Sequence, residues 1–274
     1  MFLLAGVAMH PRLSVNTLGF GPGPIRTRLD LLAAQGITRL GVPLDQLTDG
    51  DLHANLAAVR SGGFEIVTSV IPYAFTLTQP GRWPAERDRL RAGLDVAAEA
   101  GCRVLYTTTG PAGDLTWQQA AARFIDAVAP VASYAQTLPV RFAFENTATM
   151  RVDLGFVHVL ADAVDLAREA GLAVCADLFV AWTDRHLQET IARSAADFAM
   201  VQIADFVVGT RMTSDRAVPG DGSVPIGRQL AWLQEAGYPG LVELELLGPR
   251  ITAEGPAQAA ARALTTITPL LVRA

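Results

Sequence analysis

Apolar residues fall along the chain in short runs, separated by longer Ala/Leu/Arg-rich segments whose apolar positions recur every three or four residues. Short runs suit buried strands, and the longer spacing suits helices with one apolar face. Their regular alternation predicts a βαβα chain around a parallel sheet. Strands are expected at 3–8, 38–42, 65–70, 104–108, 140–145, 173–177, 198–204 and 241–247. Helices are expected at 25–35, 51–61, 84–100, 116–136, 154–170, 184–195, 226–236 and 253–271. Gly36, Gly101, Gly171 and Gly237 fall just past helical segments, where glycine relieves a left-handed C-cap. Units averaging about 34 residues fit one closed (β/α)8 TIM barrel spanning 1–274 better than an open doubly wound sheet, in the α/β class. The Gly/Pro-rich stretch Gly19 to Pro24 is broken by prolines and does not make a dinucleotide-binding turn.

Composition narrows the reading. Half of the 274 residues are hydrophobic and the formal charge is −5, so a large core is available and no Lys/Arg stripe for nucleic acid is expected. Two cysteines make no disulfide framework, and a reducing cytoplasm is the default. The apolar stretch 2–8 lacks the flanks of a signal peptide and the length of a membrane span. A small-molecule substrate is therefore expected, with no nucleic acid and no membrane.

Candidate chemistry gathers at the ends of the last four strands: Glu145, Asp177, Gln202 and Glu245. Side chains alternate along a strand. If Phe142 and Phe144 pack outward, Ala143 and Glu145 face the barrel axis. The same parity turns Cys175 and Asp177, then Met200, Gln202 and Ala204, then Glu243 and Glu245 inward. Singly, each acid is as readily a strand-end carboxylate paired with Arg151, Arg211 or backbone amides. Crowded together, three carboxylates would repel one another, and a divalent cation removes that conflict. An all-oxygen donor set suits Mn2+ or Mg2+ ahead of Zn2+ or Co2+.

The series Phe144-Glu145-Asn146, Asp177-Leu178-Phe179, Val201-Gln202-Ile203-Ala204-Asp205, Pro219-Gly220-Asp221-Gly222 and Tyr238-Pro239-Gly240 before Leu244-Glu245 resembles the xylose isomerase-like TIM barrels. This group includes sugar isomerases and epimerases, inosose dehydratases and hydroxypyruvate isomerases, the last of which carry Gln-Ile-Ala at the seventh strand. The resemblance implies a metal site of Glu145, Asp177, Gln202 and Glu245, with Glu145 and Glu245 as the acid/base pair. It implies isomerisation or epimerisation of a small α-hydroxy carbonyl compound through a metal-bound enediolate. The implied alternatives are a dehydratase of the inosose type and a sugar-binding barrel without catalysis; a homodimer is a common assembly of the group. Endonuclease IV relatives fit poorly, because their zinc cluster needs more histidine than this chain has. Many relatives carry His where this chain has Val180.

Other residues are substrate-site candidates with a plainer alternative beside each. His10 follows the expected first strand and either reaches substrate or caps a loop. Trp182, together with Phe20, Tyr73, Phe75 and Phe206, walls the pocket or packs beneath loops. Asp205 either binds substrate or shapes its loop, and Arg211 either binds an anionic group or is solvated. Glu243, one inward layer below Glu245, invites an ion pair with Arg141. His186 reads as a helix-face residue.

Overall fold

In the computed structural model, which describes residues 9–212 and 214–271, strands and helices alternate. The order is β1 (Leu13–Asn16), α1 (Leu29–Ala33), β2 (Arg39–Pro43), α2 (Leu52–Ser61), β3 (Glu65–Val70), α3 (Trp83–Ala100), β4 (Val104–Thr107) and α4 (Trp117–Ala135). Then follow β5 (Arg141–Glu145), α5 (Leu160–Ala170), β6 (Ala173–Asp177), α6 (Leu187–Ser194), β7 (Phe198–Ile203), α7 (Ile226–Glu235), β8 (Leu241–Leu244) and α8 (Pro256–Leu271). Neighbouring strands pair in parallel and β1 pairs with β8, which closes the barrel.

The expected parity holds. Phe142, Phe144, Val174, Ala176, Val201, Ile203, Val242, Leu244 and Leu246 join the layer between strands and helices. Ala143, Cys175, Met200 and Leu241 fill the barrel interior. Ala204 departs from the expectation: β7 ends at Ile203, and Ala204 joins the outer layer. Phe144 meets Phe124 of α4 edge to face at 5.4 Å. Burial of each such side chain contributes about 1.5–3 kcal/mol, so the outer layer carries much of the barrel's stability.

Local signals set the helix ends. Thr116 and Gln119 form a reciprocal capping box at the start of α4. Gly101 and Gly171 take left-handed conformations as C-caps, as their positions predicted.

Several element boundaries differ from expectation. The run 3–8 lies outside the described residues, and the barrel is closed instead by Leu13–Asn16, whose Val15 lies opposite both Leu40 and Leu244. The helix expected from 154 begins at Leu160. The preceding segment spends its backbone groups on loops: the Thr147 N–H donates to Val157 O and the Gly110 N–H to Leu154 O. The helix expected from 184 begins at Leu187, because the Asp184 carboxylate is engaged as acceptor for the Leu160 N–H at 2.9 Å. The last helical segment is split by Gly255, at φ 96°, into Pro249–Glu254 and α8.

Candidate functional site

Glu145, Asp177 and Glu245 converge at the carboxyl end of the barrel, with one carboxylate oxygen from each lying within 4.8 Å of the others. Asp177 is fully buried and Glu245 nearly so, while Glu145 is partly open to the rim. Strand register brings them together. Cys175 lies opposite Glu145, Asp177 opposite Gln202, and Gln202 opposite Glu243. One further bond, from the Glu245 N–H to Ile203 O at 3.2 Å, carries the β8 backbone up to Glu245.

Arg216 stands in the middle of these acids. Its Nη2 donates to Asp177 Oδ2 at 2.8 Å and to Glu245 Oε2 at 2.7 Å, with the side chain 8% exposed. The guanidinium also lies over the Phe179 ring at 4.3 Å. Burial alone would lower its pKa, but Asp177, Glu245 and Glu145 more than offset that, so it stays charged. Its Nε and Nη1 are buried without an acceptor among the described residues.

One guanidinium does not balance three carboxylates. Desolvation raises the Glu145 carboxyl well above its ordinary range, reinforced by Glu245 and Asp177. Desolvation also lifts Glu245 to about 7, against the pull of Arg216. Asp177 is raised by desolvation too, opposed by Arg216 and by the Phe179 N–H that its Oδ1 accepts at 3.0 Å. A cluster short of positive charge, with convergent oxygens, fits a hard divalent cation. The Gln202 oxygen accepts the Cys175 thiol at 3.3 Å, its only hydrogen-bond donor among the described residues.

Arg216 is delivered by a folded loop. Asp205 pairs with Ala217 in an antiparallel bridge. The Asp205 carboxylate then accepts four backbone N–H groups, from Phe206, Gly220, Gly222 and Val224, at 2.8–2.9 Å. The Arg216 N–H donates to Leu247 O at 3.1 Å, and Asp215 is held by Arg250 at 3.1 Å. Asn146 fixes the neighbouring strand ends through bonds to the Asp177 backbone.

Several candidates take other roles. His10 precedes β1, at the opposite end of the barrel, where its Nδ1 accepts the Arg12 N–H at 3.2 Å; the misplaced first strand had put it on the wrong rim. Asp205 is a loop anchor whose oxygens are spent on backbone amides. Arg211 lies exposed, and Arg216 is the arginine that enters the site. Glu243 is fully buried and makes no ion pair with Arg141. Its partners are Ser14, Asn16, Thr68 and Gln202, whereas Arg141 donates to Phe198 O at 3.0 Å. Arg151 pairs with Asp153 rather than with a site acid. Trp182 stays near the rim, packing with Phe206, which meets Phe179. Phe75 is core, and His186 is exposed at the start of α6.

The residues that sequence reasoning passed over are Arg216, Asn146, Tyr106 and Asn16. Arg216 has one signal, its position just before Pro219-Gly220-Asp221-Gly222, in a long loop with nothing else to separate it from Arg211.

The family model for the xylose isomerase-like TIM barrel matches residues 31–267. No curated protein matches the sequence. Among solved structures, a protein from Sinorhizobium meliloti 1021 superposes with a TM-score of 0.85 at 23% identity, covering 95% of this chain and 98% of its own. The IolI protein with a bound zinc atom gives 0.81 at 15% identity, covering 96% and 98%. D-psicose 3-epimerase with D-tagatose, from Clostridium cellulolyticum H10, gives 0.78 at 15% identity, covering 95% and 99%. At these identities the likeness is one of fold.

Proposed function

The chain belongs to the xylose isomerase-like TIM barrel family, and from that premise we propose that it is a divalent-cation-dependent isomerase or epimerase of a small α-hydroxy carbonyl compound. The observation that carries this reading is the convergence of Glu145, Asp177 and Glu245 around a single point, with too little positive charge from Arg216 to balance them. The three carboxylates and the Gln202 oxygen would hold Mn2+ or Mg2+ ahead of Zn2+ or Co2+. When bound, such an ion supplies Lewis-acid polarisation of the substrate carbonyl.

The chain's own groups do the rest. Glu145, partly open to the rim, is the group that takes the proton from the carbon next to the carbonyl. Glu245, whose carboxylate faces the same point as that of Glu145, is its partner in returning it. Return to the neighbouring carbon gives isomerisation, and return from the opposite face gives epimerisation. Asp177 is committed to the Phe179 N–H and to Arg216 and serves as a ligand only. Arg216 offers Nε and Nη1 to an anionic or electron-rich oxygen of the substrate, so a hydroxy-keto acid is favoured over a neutral sugar. Phe179, Phe206 and Trp182 form the apolar side of the pocket and limit access of water.

The test is solvent deuterium exchange at the α-carbon, with a panel of ketoses, inososes and hydroxy-keto acids, after loading with Mn2+ or Mg2+. Exchange without loss of water supports the proposal. Loss of water with the inososes would replace isomerisation by dehydration, and activity unaffected by chelation would remove the cation from the mechanism.

A further inference from the structure

Gln202 is the least expected member of the donor set, because an amide can turn either its oxygen or its nitrogen to a cation. We infer that a buried layer beneath the carboxylates, made of Glu243, Tyr106 and Asn16, locks the Gln202 carboxamide with its nitrogen toward β8 and its oxygen toward β6. With the nitrogen so occupied, the oxygen is the atom of Gln202 left for a cation; that consequence rests on the function proposed above, while the lock itself does not.

The chain of bonds begins at the backbone. The Leu18 N–H donates to Asn16 Oδ1 at 2.8 Å, which fixes the Asn16 amide with its nitrogen pointing inward. Asn16 Nδ2 donates to Glu243 Oε1 at 2.8 Å and to the Tyr106 hydroxyl oxygen at 2.9 Å. Gln202 Nε2 grips the same two atoms from the other side, at 3.2 Å and 2.9 Å. Glu243 Oε2 is taken by the hydroxyls of Thr68 and Ser14. Glu243 Oε1 receives the Asn16 and Gln202 amide nitrogens together, so at that atom an amide oxygen would find no donor. All these side chains are at most 2% exposed, so no bulk water can repair a flipped Gln202. Space for the layer is built in: a Cβ on Gly41 would overlap Glu243 Oε2 and Thr68 Oγ1. On the other side the Gln202 oxygen meets, among the described residues, only the Cys175 thiol, a weak donor that leaves a lone pair free. Glu243, Tyr106 and Asn16 are therefore positioning residues.

Two readouts test this. In protein carrying 15N in its glutamine side chains, with the Gln202 signal assigned by its loss in Gln202→Ala, the Gln202 NH2 protons are expected to be protected from solvent exchange. They should exchange at least about tenfold faster in Glu243→Gln, where either end of the new amide can face Gln202. Mn2+ affinity, measured by calorimetry, should fall about 10–100-fold in Glu243→Gln and in Tyr106→Phe, the usual range for losing a group that orients a ligand. In a Gln202→Ala background neither substitution should weaken binding further. Tyr106→Phe carries both measurements if Glu243→Gln fails to fold by circular dichroism. Unprotected Gln202 protons in the parent protein, parent-like Mn2+ affinity in the folded variants, or equal losses with and without Gln202 would overturn the inference. If the parent protein binds no Mn2+, the cation reading falls and proton exchange alone decides the lock: protection supports it and free exchange sinks it.

Discussion

The side-chain amide of Asn146 and the backbone of Asp177 form a reciprocal pair, with Nδ2 donating to Asp177 O at 3.1 Å and Oδ1 accepting the Asp177 N–H at 2.9 Å. The amide thus imitates a peptide group and prolongs the β5–β6 ladder beyond Glu145. It couples the position of one site carboxylate to that of the next. Asn146→Ala leaves both Asp177 backbone groups buried and unpaired, and is expected to cost about 2–6 kcal/mol in urea unfolding, at ~1–3 kcal/mol for each orphaned group. Weaker Mn2+ binding should accompany it. Parent-like stability would show that the pair is dispensable.

Glu145→Gln keeps the shape of the residue and removes its proton-accepting oxygen. Proton exchange at the substrate α-carbon should fall by about 10²–10⁴-fold, with an unchanged circular dichroism spectrum. Full exchange in this variant would refute the role given to Glu145.

Arg216→Met removes the counter-charge from two buried carboxylates. Cation-free protein should lose about 3–5 kcal/mol, the usual cost of breaking a buried pair from one side. Added Mn2+ should recover part of that loss in a thermal melt. Equal loss with and without the ion would mean that Arg216 and the cation do not serve the same carboxylates.

The pH dependence has a definite sign. Glu145 and Glu245 keep their protons to higher pH in the folded chain than in the unfolded one, Glu245 to about 7. The folded state therefore holds more protons between the ordinary glutamate range and about pH 7. This contribution to cation-free stability is complete below that range and is lost as pH rises through it. Mn2+ competes with those protons, so the rise in melting temperature it causes should grow from pH 5 to pH 7.5. A shift independent of pH would place the ion elsewhere.

The barrel and its carboxylates were legible because outward Phe142, Phe144, Val174, Val201, Val242 and Leu244 alternate with inward acids and amides. The first strand was not, for the same physical reason. Within Leu13–Asn16, Ser14 and Asn16 are polar because they face Glu243 inside the barrel, so the strand looks less apolar than the run at 3–8. Parity read in the later strands did reveal Glu243 as inward, but not its partners, since neutral donors from β1 and β3 surround it. Arg216 was hidden differently: its place depends on Asp205 tying amides up to nineteen residues away, and no local period records such a fold.

The Asp205 knot divides its loop into two parts with different freedoms. The stem from Arg216 to Val224 is tied by backbone amides, whereas Val208 and Met212, at the tip, are 69% and 53% exposed. A tip closed off at its base can be lengthened, shortened or recoloured at small entropic cost without dragging the guanidinium along. Under the proposed function, this would place substrate range and proton chemistry under separate control. Three extra residues inserted after Gly209 should alter the KM for bulkier substrates and leave the rate of α-proton exchange with small ones unchanged.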